Sequence, residues 1–302
     1  MTALALMVIA VKHVASGLKE KLQECMFFFH EAGYRVSLEE KTGKVWSHLF
    51  CRLADAGPGD YGGKTAFKGF LAKGLTAYVL QEEALPFLRE LIAHNYFYFP
   101  QKERDYIENL ALRRYAADPA KDEGGQVFAE VQQCLQDYFS HYDYVNVDGL
   151  IRFRLRMWLK YLRKTLDLVV DDFLLEKEYQ EFIKLLKYFV SLQDPKTKQI
   201  HVVLNEDGSY LFYDHAFQPA LMPGDIQWES FDDLTGSKDD QLVSALVIAA
   251  PQRIVLHGDV YLHYPKAVDT LQHVFEDRLV LCKRCKLCQE VKKHTPEGKN
   301  MS

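Results

Sequence analysis

The feature that most restricts the fold of this chain is the segment 64–193, in which almost every stretch has the periodicity of a helix. Five apolar residues in it recur at spacings of three and four, the spacing that lines up one face of a helix: Leu155, Leu159, Leu162, Leu166 and Val169. Strand-like stretches rich in Val, Ile and Leu lie on both sides of this segment. A helical middle between two strand-bearing ends predicts an α+β fold.

The longest helical stretch begins after Asp148, its expected N-cap, and continues to about Gln193. Because this is longer than an ordinary globular helix, we expect a break near 171–177. Residues 152–164 carry six basic residues and no acid, whereas "DDFLLEKEYQE" (171–181) is acidic. Two antiparallel helices would set these opposite charges face to face.

The N-terminal end predicts a small βαββ unit over residues 1–56. The stretch 3–11 is apolar enough for a buried strand, and 15–31 has helical periodicity. Strand residues then flank Thr42-Gly43, which is a signal for a hairpin.

The C-terminal end predicts an α/β unit over residues 198–288. "QIHVVL" and "SYLFYD" flank Glu206-Asp207-Gly208, which predicts a β-hairpin. The strand "RIVLHG", the helix "PKAVDTLQHVF" and the strand "RLVLC" follow in order and predict a βαβ segment with parallel strands. The helix before them is expected to be capped by Asp239 or Asp240. The two remaining predicted domains are a helical region over residues 64–193 and a basic, flexible tail over residues 289–302.

Composition places the chain among soluble globular proteins. Of its 302 residues, 48% are hydrophobic and 26% are charged. No apolar run reaches the roughly 20 residues that a membrane-spanning helix needs, and no basic residue precedes the apolar stretch at the N-terminus, as it would in a signal peptide. We therefore expect a cytoplasmic protein that does not insert into membranes and whose cysteines are reduced.

The sharpest candidate for a functional site is "CKRCKLC", in which Cys282, Cys285 and Cys288 follow the spacing C-x2-C-x2-C. Thiolates so close together repel one another unless a cation neutralises them, and this spacing is typical of zinc and iron–sulfur sites. A ferredoxin-type run has a fourth cysteine at the position where this chain has Lys292. Zinc is favoured because one histidine completes its four ligands. A redox-active dithiol and inert thiols are the alternatives.

Two histidines are candidates for the fourth ligand. His294 lies six residues beyond Cys288. His257 ends the strand "RIVLH", just as Cys282 ends the strand "RLVLC". If these strands are parallel neighbours, both residues lie at the carboxyl edge of the sheet, where open α/β sheets bind ligands.

Three further patterns have a structural explanation beside a functional one. Four basic residues share one helical face that could bind phosphate or nucleic acid: Arg152, Arg156, Lys160 and Arg163. The net charge of −5 and the nearby acidic segment favour a salt-bridged or solvated face instead. The carboxylates of "EKEYQE" (176–181) lack a histidine partner, and "GPGDYGGKT" (57–65) lacks the spacing of a phosphate-binding loop. No catalytic residue is assigned.

Four segments carry a resemblance to a known family: "VDGLIRFRL" (147–155), "VDDFLLEKEYQEFIKLLKYFV" (170–190), "LVSALVIAAPQRIVLH" (242–257) and "TLQHVFEDRLVLCKRCKLC" (270–288). On these segments, and over essentially its full length, the chain resembles the YtxC-like family of endospore-forming bacteria. The resemblance implies an association with sporulation and expression in the cytoplasm. It implies no activity, ligand or catalytic residue.

We therefore expect the chain to be an uncharacterised, sporulation-associated cytoplasmic protein. It is expected to bind or regulate an unknown protein partner and to contain a structural zinc site. The alternative is a metal- or thiol-dependent enzyme with its pocket at the carboxyl edge of the C-terminal sheet. Nucleic acid is not an expected partner.

Overall fold

The computed structural model describes residues 3–12, 16–31, 33–54, 62–117, 123–195, 197–204, 210–220, 237–258, 260–283, 285 and 288. The chain divides into two compact units, Met1–Leu174 and Leu175–Ser302. Each unit contains a four-stranded mixed sheet. Helices dominate the middle of the chain, which confirms the predicted α+β fold. The four domain ranges expected from the sequence remain predictions.

The sheet of unit 1 contains the predicted βαββ arrangement and one additional strand. Its elements are β1 (Ala3–Lys12), α1 (Ser16–Glu31), β2 (Val36–Thr42), β3 (Trp46–Ala54) and, much later in the chain, β4 (Tyr144–Asn146). The strand order is β2-β3-β1-β4. β1 and β2 run antiparallel to β3, whereas β4 runs parallel to β1. The sequence does not predict β4, because three residues are too few to show a periodicity.

The helices of unit 1 follow the first three strands. They are α2 (Gly63–Glu82), α3 (Ala84–Asn95), α4 (Gln101–Ala117), α5 (Glu123–His141), α6 (Val147–Arg154) and the first part of α7 (Arg156–Ser191). The predicted apolar face is confirmed, because Leu162, Leu166 and Val169 of α7 are buried, Leu159 is half-buried, and Leu155, directly before α7, is also buried. Trp158 lies on the same part of α7 and is fully buried.

The predicted break in the longest helix is wrong. α7 continues through 171–177 without interruption, and the division between the two units falls inside it. The stretch 171–177 contains no glycine or proline, and its Leu, Glu and Lys residues favour a helix, so length alone is a poor reason to expect a break. The expected antiparallel pairing of basic and acidic halves is therefore wrong as well. Among the described residues, no helix is long and apolar enough to cross a membrane, and α7 is no exception.

The interruption lies earlier, at Leu155 between α6 and α7. The N–H of Leu155 donates to the carbonyl oxygens of Leu150 and Ile151, which closes α6. α6 is capped by Asn146, whose side chain accepts from the N–H of Gly149 at 2.8 Å, and not by Asp148 as predicted. Asp148 lies in the first turn, where its charge favours the helix dipole.

Unit 2 contains the antiparallel strand pair of the predicted hairpin and the predicted βαβ segment, whereas the hairpin turn expected at Glu206-Asp207-Gly208 lies outside the described residues. Its elements after α7 are β5 (Gln199–Leu204), β6 (Tyr210–Tyr213), α8 (Lys238–Ala249), β7 (Arg253–Leu256), α9 (Val260–His263), α10 (Pro265–Phe275) and β8 (Leu279–Leu281). The strand order is β6-β5-β7-β8. β6 runs antiparallel to β5, whereas β5, β7 and β8 are parallel. The N-cap of α8 is Ser237, and not Asp239 or Asp240; Asp240 completes a capping box with it.

Candidate metal centre

Two parallel strands of unit 2 end side by side at one edge of the sheet. The N–H of His257, the residue after β7, donates to the carbonyl oxygen of Val202 at 2.9 Å. The N–H of Cys282, the residue after β8, donates to the carbonyl oxygen of Leu256 at 2.9 Å. His257 and Cys282 therefore lie next to each other at the carboxyl edge, in the arrangement that the strand pattern predicted.

Four potential metal ligands meet at this edge. Nδ1 of His257 lies 3.3 Å from Sγ of Cys288 and 3.4 Å from Sγ of Cys285. Sγ of Cys288 lies 3.8 Å from Sγ of Cys285 and 3.7 Å from Sγ of Cys282. All four ligand atoms are within 4.8 Å of one another. This group could hold a metal ion.

Two backbone features lie directly beside the four ligand atoms. The N–H of Cys285 lies 3.4 Å from Sγ of Cys282 and donates to it, which holds the two cysteines close together. Gly258 follows His257 directly and has a φ of +48°, a left-handed conformation in which other residues are strained. A Cβ on Gly258 would lie 3.9 Å from Sγ of Cys288, so the backbone conformation of this turn, and not lack of space, requires glycine.

Burial controls the protonation of two members of the group. His257 is 4% exposed and Cys288 is 8% exposed. Desolvation, together with the neighbouring His201, lowers the pKa of His257 to about 4, so its imidazole is neutral near pH 7. Desolvation, with hydrogen bonds to Cys282 and Cys285, raises the pKa of Cys288 to about 12. This thiol therefore keeps its proton near neutral pH unless a cation displaces it.

Two further side chains, which the sequence patterns do not predict, lie behind His257. Nε2 of His257 lies 2.8 Å from Nδ1 of His201, and Nε2 of His201 lies 2.7 Å from Nε2 of Gln199. His201 is buried, and its ring centroid is 4.5 Å from that of Phe217. The alternation of side chains along a strand could have indicated this placement: His201 lies opposite Val255 in the parallel pair β5–β7, so His201 and His257 are on the same face.

The remaining predicted ligand, His294, lies outside the described residues. Most of "GPGDYGGKT" also lies outside them, although its last residues begin α2. In "EKEYQE", Glu176 accepts from the amide of Gln180 at 2.9 Å. Within the described residues, these carboxylates belong to no group of three potential metal ligands.

The predicted basic face lies on α6 and α7. Arg152 pairs with Glu90 at 2.8 Å, which gives this residue an ion-paired role. Arg156, Lys160 and Arg163 line an open groove of about 400 Å³ beside α3. Among the residues that the structure describes, none of these three has an acidic partner within ion-pair distance.

Most of the chain matches a known protein family. The model of the YtxC-like family matches residues 69–280 of the chain. "Uncharacterized protein YtxC" of Bacillus subtilis (strain 168) is 30% identical over 128 residues, which are 42% of this chain and 44% of that protein. The chain therefore aligns with less than half the length of this relative. No solved structure matches the chain. The range matched by the family model includes His257 and ends before Cys282.

Proposed function

The chain belongs to the YtxC-like family, and we propose that it is a sporulation-associated cytoplasmic protein that binds or regulates a protein partner and contains a structural zinc ion. In this proposal the zinc ligands are His257, Cys282, Cys285 and Cys288. The ion holds the cysteine segment against the sheet of unit 2. The protein has no catalytic activity of its own at this site.

The observation that carries the zinc assignment is the set of distances between ligand atoms. Around a tetrahedral zinc ion with bonds of about 2.3 Å to sulfur and about 2.0 Å to nitrogen, two sulfurs lie about 3.8 Å apart, and a sulfur and a nitrogen about 3.5 Å apart. For four of the six pairs of ligand atoms, the distances are 3.7 and 3.8 Å between sulfurs and 3.3 and 3.4 Å between nitrogen and sulfur, and all six lie within 4.8 Å. Atoms spaced in this way need little rearrangement to bind the ion.

An iron–sulfur cluster fits this geometry less well. In a four-iron cluster each cysteine binds a different iron atom, so the sulfurs stand farther apart than around a single ion. Three thiolates and one imidazole are also a ligand set typical of structural zinc. Both arguments favour one zinc ion.

The number of ligands supports a structural role. A catalytic zinc ion has three protein ligands and keeps its fourth position for water or substrate. Here the protein supplies four ligand atoms, and both His257 and Cys288 are buried. The alternative, a metal-dependent enzyme, requires one of the four to leave the ion.

The biological role is supported by the family and by the surface of α7. The association with sporulation comes from the resemblance to YtxC-like proteins. Several large apolar side chains on α7 are exposed, among them Leu175 at 65% and Leu185 at 67%, and exposed apolar surface of this kind is typical of protein interaction sites.

Metal analysis of the purified protein tests the zinc site. We expect one zinc ion per chain in the native protein and a loss of roughly tenfold or more in zinc content for Cys282→Ser, because removing one thiolate opens the ligand set. Cys134→Ser is the matched control, since Cys134 lies in α5 of unit 1, and it should keep the native zinc content. A native protein without zinc, or equal zinc content in both variants, would overturn the proposal.

Cobalt substitution separates the structural site from the catalytic alternative. A closed site with four protein ligands should give a cobalt absorption spectrum that added azide leaves unchanged. A spectrum that changes with azide would show an open coordination position and would favour the enzyme.

A further inference from the structure

Three side chains form a hydrogen-bonded row that leads away from the cysteines. Nδ1 of His257 faces the sulfurs of Cys285 and Cys288, while its Nε2 lies 2.8 Å from Nδ1 of His201. Nε2 of His201 lies 2.7 Å from the amide nitrogen of Gln199. Both histidines are buried, so each ring nitrogen depends on its neighbour in the row for a hydrogen-bond partner.

Each contact between two nitrogens needs a hydrogen on one of them, and this requirement couples the two imidazoles. Gln199 presents its NH2 group, which is a donor, so Nε2 of His201 accepts and Nδ1 of His201 carries the hydrogen. That hydrogen is donated to Nε2 of His257. Nδ1 of His257 then carries its own hydrogen and directs it at the sulfurs, so it has no lone pair for a metal ion.

A metal ion on Nδ1 of His257 requires the opposite arrangement. Nε2 of His257 must then carry the hydrogen and donate it to Nδ1 of His201, which leaves the hydrogen of His201 on Nε2. That hydrogen needs an acceptor, which Gln199 supplies when its amide turns over and presents Oε1. Each imidazole carries one hydrogen in both arrangements, so the pair stays neutral.

We propose that His201 and Gln199 are positioning residues for the metal: metal loading reverses the direction of the hydrogen bonds along the row, and in the reversed row these two residues hold His257 in the tautomer whose Nδ1 binds the ion. This inference rests on the proposed zinc site and adds to it the residues of β5 that orient the imidazole ligand. As a consequence, the side-chain amide of Gln199 presents its NH2 group to His201 when the metal is absent and its Oε1 when the metal is bound.

The tautomers can be observed directly. In the full chain with nitrogen-15 histidine, long-range nitrogen–proton spectra recorded with and without zinc distinguish Nδ1–H from Nε2–H for His201. We expect His201 to change from the Nδ1–H to the Nε2–H form when zinc is added. The same tautomer in both states would overturn the proposed reversal.

Substitutions at Gln199 test the positioning role. Gln199→Glu offers only acceptors, so it should favour the Nε2–H form of His201 even without metal and bind zinc at least as tightly as the native chain. Gln199→Leu offers no partner and should weaken zinc binding by roughly 10–100-fold, the usual effect of removing an outer-shell partner. Zinc affinity is measured by competition with a chelator. Equal affinities for the two variants would contradict the proposal.

Substitutions at His201 separate positioning from packing. His201→Asn keeps an acceptor for Nε2–H of His257, whereas His201→Leu does not. We expect the Asn variant to bind zinc within a few-fold of native and the Leu variant roughly 10–100-fold more weakly, while both keep a cooperative unfolding transition. If the native chain binds zinc and both variants bind it equally well, the positioning role fails and the zinc site stands. If the native chain binds no zinc, the proposed function itself fails.

Discussion

The N–H of Cys282 donates to the carbonyl oxygen of Leu256 at 2.9 Å, which ties the first cysteine of the group to the end of the neighbouring strand. Cys285 and Cys288 follow three and six residues later, so the placement of all three sulfurs depends on the register between β7 and β8. His257 is placed by the same strand β7. The sheet therefore determines which side chains meet at its carboxyl edge.

Inserting one glycine between Leu281 and Cys282 should abolish metal binding, because a shift of one residue turns a side chain to the opposite face of a sheet. The measurement is the zinc content of the purified variant, with circular dichroism to show that the fold is retained. The same insertion after Gly298, beyond all three cysteines, is the control and should leave the zinc content unchanged. Equal zinc content in the two variants would contradict the dependence on strand register.

Two glycines of α2 should respond in opposite ways to alanine. A Cβ on Gly74 would lie 2.9 Å from Sγ of Cys25 and 3.4 Å from the carbonyl oxygen of Lys21, both in α1, so Gly74→Ala should destabilise the protein by about 1–3 kcal/mol. A Cβ on Gly69 meets nothing within 4 Å, so Gly69→Ala should stabilise it by about 0.5–1 kcal/mol. The free energy of unfolding in urea measures both effects. Changes of the same sign would argue against this packing of α1 on α2.

The N-cap of α8 should contribute measurably to the stability of unit 2. Oγ of Ser237 accepts from the N–H of Asp240 at 3.3 Å, and the Asp240 carboxylate accepts from the N–H of Ser237 at 3.2 Å. Ser237→Ala is therefore expected to lower the free energy of unfolding by about 1 kcal/mol. Ser244→Ala, at an exposed position inside the same helix, is the control. The prediction fails if the two substitutions have equal effects.

The ion pair between Arg152 and Glu90 should make a small, pH-dependent contribution. Hydrogen bonds from the guanidinium at 2.8 and 3.1 Å lower the pKa of the Glu90 carboxyl below its ordinary value. The pair therefore contributes fully above the unfolded-state pKa, and the contribution disappears as the pH falls through the lower folded-state pKa. Because both side chains are largely exposed, Arg152→Gln should cost about 0.2–1 kcal/mol at neutral pH.

Urea unfolding of the native chain and the Arg152→Gln variant at neutral and strongly acidic pH checks this expectation. The difference between the two should vanish in acid, where Glu90 is protonated in both. A difference that persists in acid would show that Arg152 acts through another contact, such as the ring of Phe87 at 5.2 Å.

The sequence predicted those parts of the fold that depend on local patterns. Alternation and helical spacing identified the βαββ unit, the helical middle and the βαβ segment, because each signal lies within a few consecutive residues. The break near 171–177 was wrong because it was inferred from length, whereas the chain is interrupted at Leu155, where no glycine or proline marks the position. β4 was missed because its pairing with β1 is a long-range contact of three residues.

The candidate site could be predicted only in part for the same reason. The spacing of the three cysteines is visible in the chain, and His257 follows from the assumption that β7 and β8 are parallel. His201 requires the register of β5 against β7, two strands that are separated by a hairpin and a helix. That register depends on packing in the core of unit 2, and no short pattern in the sequence encodes it.

X-ray absorption at the zinc edge of the zinc-loaded chain identifies the atoms that bind the ion. The spectrum should show three sulfur neighbours at about 2.3 Å and one nitrogen neighbour at about 2.0 Å. His257→Ala should remove the scattering from the outer ring atoms of an imidazole, since water that takes the vacated position gives none, whereas His294→Ala should leave the spectrum unchanged. We expect three sulfurs and an imidazole signal that is lost with His257. Fewer than three sulfurs, or an imidazole signal that survives the loss of His257, would show that the ligand set is a different one.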